Sequence, residues 1–202
     1  VQTCALPIYR NRLALQGDIL AAHALGIQNL LVVCGEDISC CDHHDAKAVN
    51  DLDEVGLLRA IQTLEKGTDL AGMDLSGSPS FLAGCTIASC PTEQSLEEEM
   101  EKARLKIATG ARFVVTPPVF DVAQFEPFLA DLKTLGVPVI PTVFLLKSVG
   151  VARYIATNEP SAGITEDLIR RIRKASDREM ECVRIAGETV AALKQKVEGV
   201  RI

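Results

Sequence analysis

Two neighbouring carboxylates follow a short apolar run near the start of the chain. Glu36 and Asp37 come directly after Asn29–Cys34, and Gly35 separates the run from the first carboxylate. Glycine lets a ligand approach the backbone closely, and functional sites gather titratable groups at such positions. The alternative is an ordinary loop or helix-capping carboxylate. Position alone leaves both interpretations open.

A second cluster of chemically active residues forms one short segment. Residues 40–45 place six side chains that can bind metal next to one another, in the order Cys-Cys-Asp-His-His-Asp. Adjacent residues in an extended loop point in different directions, and the spaced ligand pairs of structural zinc sites are lacking. We therefore predict a loop without a metal, with a metal site as the alternative hypothesis.

The elements that would position these residues alternate between helix and strand patterns. Apolar residues recurring every three to four positions predict helices, and short continuous apolar runs predict strands buried on both faces. The predicted helices cover residues 11–25, 52–64, 94–109 and 121–135, the predicted strands cover 29–34, 81–88, 112–116 and 137–141, and a mostly helical remainder ends in a strand at 199–202.

Repeated strand–helix units with short loops imply parallel strands covered by helices. A doubly wound sheet and a closed barrel compete, and the sequence contains neither GxGxxG nor GxxxxGK[ST], which removes the commonest reason for the open sheet. We predict one α/β domain, a partial (β/α)8 TIM barrel. Catalysis would then gather at the carboxyl ends of the strands, at residues 34–37, 88–91, 116–118 and 141–143.

Bulk properties exclude several classes of function. The 202 residues are 48% hydrophobic with a net charge of −6, which argues against nucleic-acid or anionic membrane partners. No apolar run is long enough to span a bilayer. The seven cysteines are odd in number and contain no CxxC pair, which favours reduced thiols and a cytoplasmic protein.

The first eight residues match the in-frame translation of a common sequencing-library adapter. We expect residues 1–8 to be an assembly scar that lies outside the fold, so that the domain covers residues 9–202.

Several spaced blocks resemble the methylenetetrahydrofolate reductase family. Residues 11–16 and 25–31 followed by Gly35-Glu36 are similar to the segment before the family's Gly-Asp motif, and residues 42–46 are similar to its Asp-His-Pro-x-Ala loop. Residues 91–106, 110–116 and 120–121 resemble its K-x-x-A-G-A-x-F-x-x-T-Q…F-D stretch, and residues 139–141, 146–148 and 152–154 match as well.

The resemblance implies a flavoenzyme of one-carbon and methionine metabolism. FAD would lie across the strand ends, accept electrons from NAD(P)H and reduce 5,10-methylenetetrahydrofolate. By position, catalytic Glu36 replaces the family's aspartate, Thr116 falls on a substrate position, and the cofactor positions are Cys34, Gly35, His43, Glu99 and Lys106. Glu99 and Lys106 would contact the ribityl–phosphate part of FAD, the alternative being an exposed charged helix surface.

Some residues depart from the family pattern. Pro117 replaces a glutamine whose amide can serve substrate and nicotinamide, and proline offers no side-chain hydrogen bond. The electron donor therefore stays open between NADH, NADPH and ferredoxin, as does assembly as a homo-oligomer or with a partner redox subunit. Two alternative functions remain, a non-redox pterin-binding methyltransferase component and a non-catalytic partner subunit of the same barrel fold.

The resemblance also predicts that the sequence is a fragment. The family's acid, a glutamate at the end of the first barrel strand, would lie upstream of Tyr9, together with the first strands of the barrel, and the C-terminal end is cut as well. We expect this polypeptide alone to be poorly folded and inactive, because an open parallel sheet exposes backbone groups and apolar surface.

Overall fold

The computed structural model describes residues 2–35, 45–47, 49–88, 93–159 and 162–202. Strands and helices alternate along most of this chain. In order, they are β1 Thr3–Pro7, α1 Arg12–Ala24, β2 Asn29–Val33, α2 Glu54–Glu65, β3 Leu82–Thr86, α3 Glu93–Ala108, β4 Val114–Pro118, α4 Val122–Lys133, β5 Val139–Thr142, α5 Val149–Asn158, α6 Glu166–Lys174 and α7 Arg178–Leu193.

The chain divides into two compact units, Val1–Thr86 with Lys102–Phe113, and Ile87–Glu101 with Val114–Ile202. In the first unit, β2 pairs in parallel with β1 and β3. In the second unit, β4 pairs in parallel with β5. The register of β4 and β5 shifts between Val115 and Pro118, where Pro117 and Pro118 have no N–H to contribute to the ladder.

The strand order is β1-β2-β3-β4-β5, the same as the order along the chain. A doubly wound sheet reverses its strand order at a switch point, whereas a (β/α)8 barrel adds each strand next to the preceding one. The structure therefore confirms the predicted α/β fold with parallel strands, and the strand order is the one that a (β/α)8 barrel requires.

The two ends of the chain differ from the predicted elements. Thr3–Pro7 forms β1, although we expected residues 1–8 to lie outside the fold; it pairs with β2 from Thr3 opposite Asn29 to Pro7 opposite Val33. Pairing satisfies backbone groups that an open edge of β2 would expose. The adapter origin of these residues stays a prediction. The strand predicted at 199–202 is reduced to one parallel bridge between Arg201 and Thr142.

Side-chain caps define where most of these helices begin. Asp53, for example, accepts a hydrogen bond from the backbone N–H of Gly56 at 2.6 Å, so α2 begins at Glu54 instead of the predicted Leu52. Such caps satisfy backbone donors that the first helical turn leaves unpaired. The capping residues are Asn11, Asp53, Asp121, Ser148, Thr165 and Asp177.

Each unit has its own apolar core. In the first, Leu15, Leu30, Leu57 and Leu64 are fully buried, where α2 packs against β2 and α1 packs against α2 and β1. In the second, the cluster of Leu146, Ala152, Ile169, Ile172, Cys182 and Ile185 packs α5, α6 and α7 together. Burying one such leucine or isoleucine side chain stabilises a fold by about 1.5–3 kcal/mol. Within the described ranges, no helix is long and apolar enough to cross a membrane.

Candidate functional site

The carboxyl end of β2 is an exposed turn built on a glycine. Cys34 and Gly35 follow the strand directly, and both are exposed. Gly35 has φ +81°, a conformation that side chains other than glycine rarely adopt. A Cβ at Gly35 would lie 2.6 Å from Cδ1 of Tyr9. The aromatic ring of Tyr9 thus lies where a side chain at position 35 would have to go.

Two predicted site residues lie outside the described residues. Glu36 was predicted to be catalytic and His43 to lie near the cofactor, and both belong to the undescribed segment 36–44. Their roles stay predictions. Among the described residues, no group of three His, Cys, Asp or Glu side chains is arranged to hold a metal ion. The candidate metal-binding segment 40–45 lies, except for Asp45, in the same undescribed part.

Lys106 is a buried cation at the carboxyl end of β3. The residue is 5% exposed, and its Nζ donates to the carbonyl of Thr86 at 3.0 Å. The same Nζ lies 2.8 Å from Oε2 of Glu54. Helix α3 presents the lysine, and the first residue of α2 presents the glutamate. The sequence analysis missed Glu54, because an acidic residue in a first helical turn is common for its favourable interaction with the helix dipole.

Glu99, on the same helix as Lys106, is also buried, with 8% of its surface exposed. Its Oε1 accepts a hydrogen bond from the backbone N–H of Ala88 at 2.8 Å. The alternative hypothesis of an exposed acidic and basic helix surface is therefore wrong for both residues. Glu99 and Lys106 each bond to the backbone where β3 ends, at Ala88 and Thr86.

Thr116 lies near the end of β4, and 3% of its surface is exposed. Its hydroxyl donates to the carbonyl of Pro117 at 2.8 Å and accepts from the backbone N–H of Thr142 at 3.4 Å. The hydroxyl of Thr142 in turn donates to the carbonyl of Thr116 at 2.7 Å. These bonds tie the ends of β4 and β5 together.

The predicted site residues therefore form two groups, one in each unit. In the first unit, Cys34, Gly35 and Lys106 lie where β2 and β3 end, and the register pairs Val32 with Cys85, one residue before both strands end. In the second unit, Glu99 contacts Ala88, and Thr116 contacts Thr142. Each group lies near a carboxyl strand end, and the roles of these residues stay predictions.

Three groups on α6 and α7 have shifted pKa values. The Arg171 guanidinium donates two bonds to Glu188, at 2.7 and 2.8 Å, and one to Glu181 at 2.6 Å. These bonds raise the pKa of Arg171, and the bond from Arg171 lowers the pKa of Glu188. Burial, followed by the charges of Glu181 and Glu179, raises the pKa of the Cys182 thiol. This cluster joins two helices.

A family model described as methylenetetrahydrofolate reductase matches residues 3–201. No curated protein matches the chain. The structure of a phospho-2-dehydro-3-deoxyheptonate aldolase from Thermotoga maritima is similar, with 15% sequence identity and a TM-score of 0.38. The match covers 100% of this chain and 58% of the aldolase chain. A truncated 3-deoxy-D-arabino-heptulosonate 7-phosphate synthase, also from Thermotoga maritima, has 14% identity and a TM-score of 0.37, with coverages of 100% and 74%. The chain thus spans less than two thirds of the first of these structures.

Proposed function

The chain belongs to the methylenetetrahydrofolate reductase family, and from this membership we propose that the protein is a flavin-dependent oxidoreductase. It would reduce 5,10-methylenetetrahydrofolate to 5-methyltetrahydrofolate with electrons from NAD(P)H, in one-carbon and methionine metabolism in the cytoplasm. The observation that carries the proposal is the family match over residues 3–201. The candidate residues at the carboxyl strand ends support it, because barrel enzymes place their chemistry there.

Two features of the described residues support the proposal of a bound flavin, which has a flat ring system and a polar tail. At the end of β2, Cys34 and Gly35 are both exposed, so their backbone is accessible to a flat ring. Oε1 of Glu54 is buried and has no hydrogen-bond partner among the described residues. The adjacent Lys106 has three N–H donors, of which two meet oxygens of Thr86 and Glu54. The third N–H donor of Lys106 would thus be left for an oxygen of the ribityl–phosphate part of FAD, while Glu54 keeps the ammonium in place.

FAD would supply hydride transfer between the nicotinamide and the folate. In this proposal, Cys34, Gly35, His43, Glu99 and Lys106 bind and orient the cofactor, while Glu36 is the catalytic carboxylate beside it. Lys106 and Glu54 together carry no net charge, so Lys106 would act through hydrogen bonding more than through a long-range positive field. Thr116 would contact the folate, and its bonds to Thr142 would hold it in place.

The test starts from the protein expressed from its complete gene. We expect the purified protein to retain FAD, with an absorbance band at roughly 450 nm, as a bound flavin shows. Anaerobic NADH or NADPH should bleach this band, and 5,10-methylenetetrahydrofolate should restore it with formation of 5-methyltetrahydrofolate. A well-folded protein that neither retains nor binds FAD would overturn the proposal.

A non-catalytic partner subunit of the same barrel fold is the second candidate, and Pro117 favours it. The side chain of Pro117 can neither donate nor accept a hydrogen bond, and its carbonyl already accepts the hydroxyl of Thr116. Such a subunit would fail to bleach with NAD(P)H alone and would react only in a complex with a redox partner. A methyltransferase component would bind the pterin without any flavin band. Size-exclusion chromatography would show whether the protein forms a homo-oligomer or requires a partner.

A further inference from the structure

Glu54 is the only side chain that the structure shows in an ion pair with Lys106, within the part of the chain it describes. Its Oε2 lies 2.8 Å from Nζ of Lys106, and both side chains are largely shielded, at 18% and 6% exposure. On the other side, Nζ donates to the carbonyl of Thr86. The ammonium is thus held between a carboxylate on α2 and the last residue of β3. Removing the carboxylate would leave it only the carbonyl as a described partner.

The other carboxylate oxygen of Glu54 lacks a hydrogen bond, which is unfavourable if the role of Glu54 is stability alone. Oε1 is buried and, among the described residues, has no hydrogen-bond partner. Buried polar atoms without a partner are rare and costly in native proteins, and a buried ion pair is often no more stable than apolar residues of similar volume. The cost of this unpaired oxygen indicates that the carboxylate serves to hold Lys106 in place and not stability alone.

We propose that Glu54 is a positioning residue, which holds the ammonium of Lys106 at the carboxyl end of β3 in the orientation needed to bind FAD. This inference rests on the proposed function, since it assumes that Lys106 serves the cofactor. Glu54 acts through Lys106, so its effect should disappear when Lys106 cannot donate a hydrogen bond.

The test is a double-mutant cycle on FAD affinity in the protein expressed from its complete gene. Apoprotein is titrated with FAD and followed by flavin fluorescence and by the flavin absorbance spectrum. The variants are Glu54→Gln, Glu54→Asp, Lys106→Met and the double variant Glu54→Gln/Lys106→Met. Glu65→Gln is the matched control, because Glu65 is on the same helix and also bonds to the backbone, accepting from Phe81 N–H at 2.8 Å.

We expect Glu54→Gln to weaken FAD binding at least about tenfold and to shift the flavin spectrum, because a buried charge that loses its partner is no longer held in place. Glu54→Asp should lose about threefold, a partial rescue because it keeps the charge on a shorter side chain. The double variant should bind FAD no more weakly than Lys106→Met, and Glu65→Gln should bind as wild type does.

Two results would overturn the inference. One is a folded Glu54→Gln protein with the FAD affinity and flavin spectrum of wild type. If that variant does not fold, an unchanged FAD affinity in Glu54→Asp would overturn the inference instead. The other is a double variant in which the two losses multiply. Failure of the proposed function is distinguishable, because it appears in the wild-type protein as an absence of FAD binding before any variant is compared.

Discussion

The ring of Tyr9 fills the space beside Gly35 at the carboxyl end of β2. Its Cδ1 and Cε1 atoms lie 2.6 and 2.7 Å from the position that a Cβ at Gly35 would take. Gly35 also has φ +81°. Two independent constraints, one from the backbone and one from the aromatic ring, therefore require glycine immediately before the predicted catalytic carboxylate.

Gly35→Ala should lower the free energy of unfolding by about 1–3 kcal/mol, because alanine adds strain at positive φ and collides with Tyr9. Urea unfolding measures the change. Gly17→Ala is the matched control, since Gly17 lies within α1 with nothing near its Cβ position; it should stabilise by about 0.5–1 kcal/mol. Equal effects of the two substitutions would contradict the assigned conformation of Gly35.

Lys106→Met should cost about 3–5 kcal/mol of unfolding free energy, because it leaves the carboxylate of Glu54 shielded and unpaired. Adding Glu54→Gln should recover much of that loss, as the second substitution removes the uncompensated charge. Arg104→Met, at an exposed position on the same helix, should change stability by less than about 0.5 kcal/mol. Additive losses in the double variant would show that the two residues do not interact.

Gly84→Ala should destabilise the protein by about 1–3 kcal/mol through overpacking. Gly84 is buried in β3, and a Cβ there would overlap the ring of Phe113. Phe113→Leu combined with Gly84→Ala should be more stable than Gly84→Ala alone, because the smaller side chain leaves room for the new methyl group. Thermal unfolding of both variants and of Phe113→Leu tests this, and no relief in the combined variant would argue against the contact.

Glu188 should make the stability of the protein depend on acid pH. The bond from Arg171 lowers the pKa of Glu188 in the folded protein, so its stabilisation is present above the unfolded pKa and is lost as the pH falls through the folded pKa. Glu188→Gln should therefore lower the melting temperature at pH 7, and the difference from wild type should vanish toward the acid end of a pH series. Arg171→Met should remove the effect of Glu188→Gln at pH 7, because the bond that lowers the pKa of Glu188 is then absent; a pH-dependent difference that persists in this background would contradict the assignment.

The pattern of apolar residues predicted most of the architecture because periodicity is a local property. The apolar runs at residues 29–34 and 137–141 form β2 and β5, and the helix predicted at residues 94–109 forms α3. Helix ends moved by one or two residues where a cap such as Asp53 decided the first turn. Residues 3–7 form a strand because they pair with β2, and a local sequence pattern does not predict such pairing.

The sequence by itself determined the α/β fold, its parallel strands and the family, because apolar periodicity and the order of motifs are local properties of the sequence. The sequence also predicted the strands whose carboxyl ends hold Gly35 and Thr116 and contact Lys106. Only the tertiary structure decided that Lys106 is buried against Glu54 and that Tyr9 packs over Gly35. Those partners are distant in sequence, and they meet only because the packing of helices on strands brings their side chains into the same small volume.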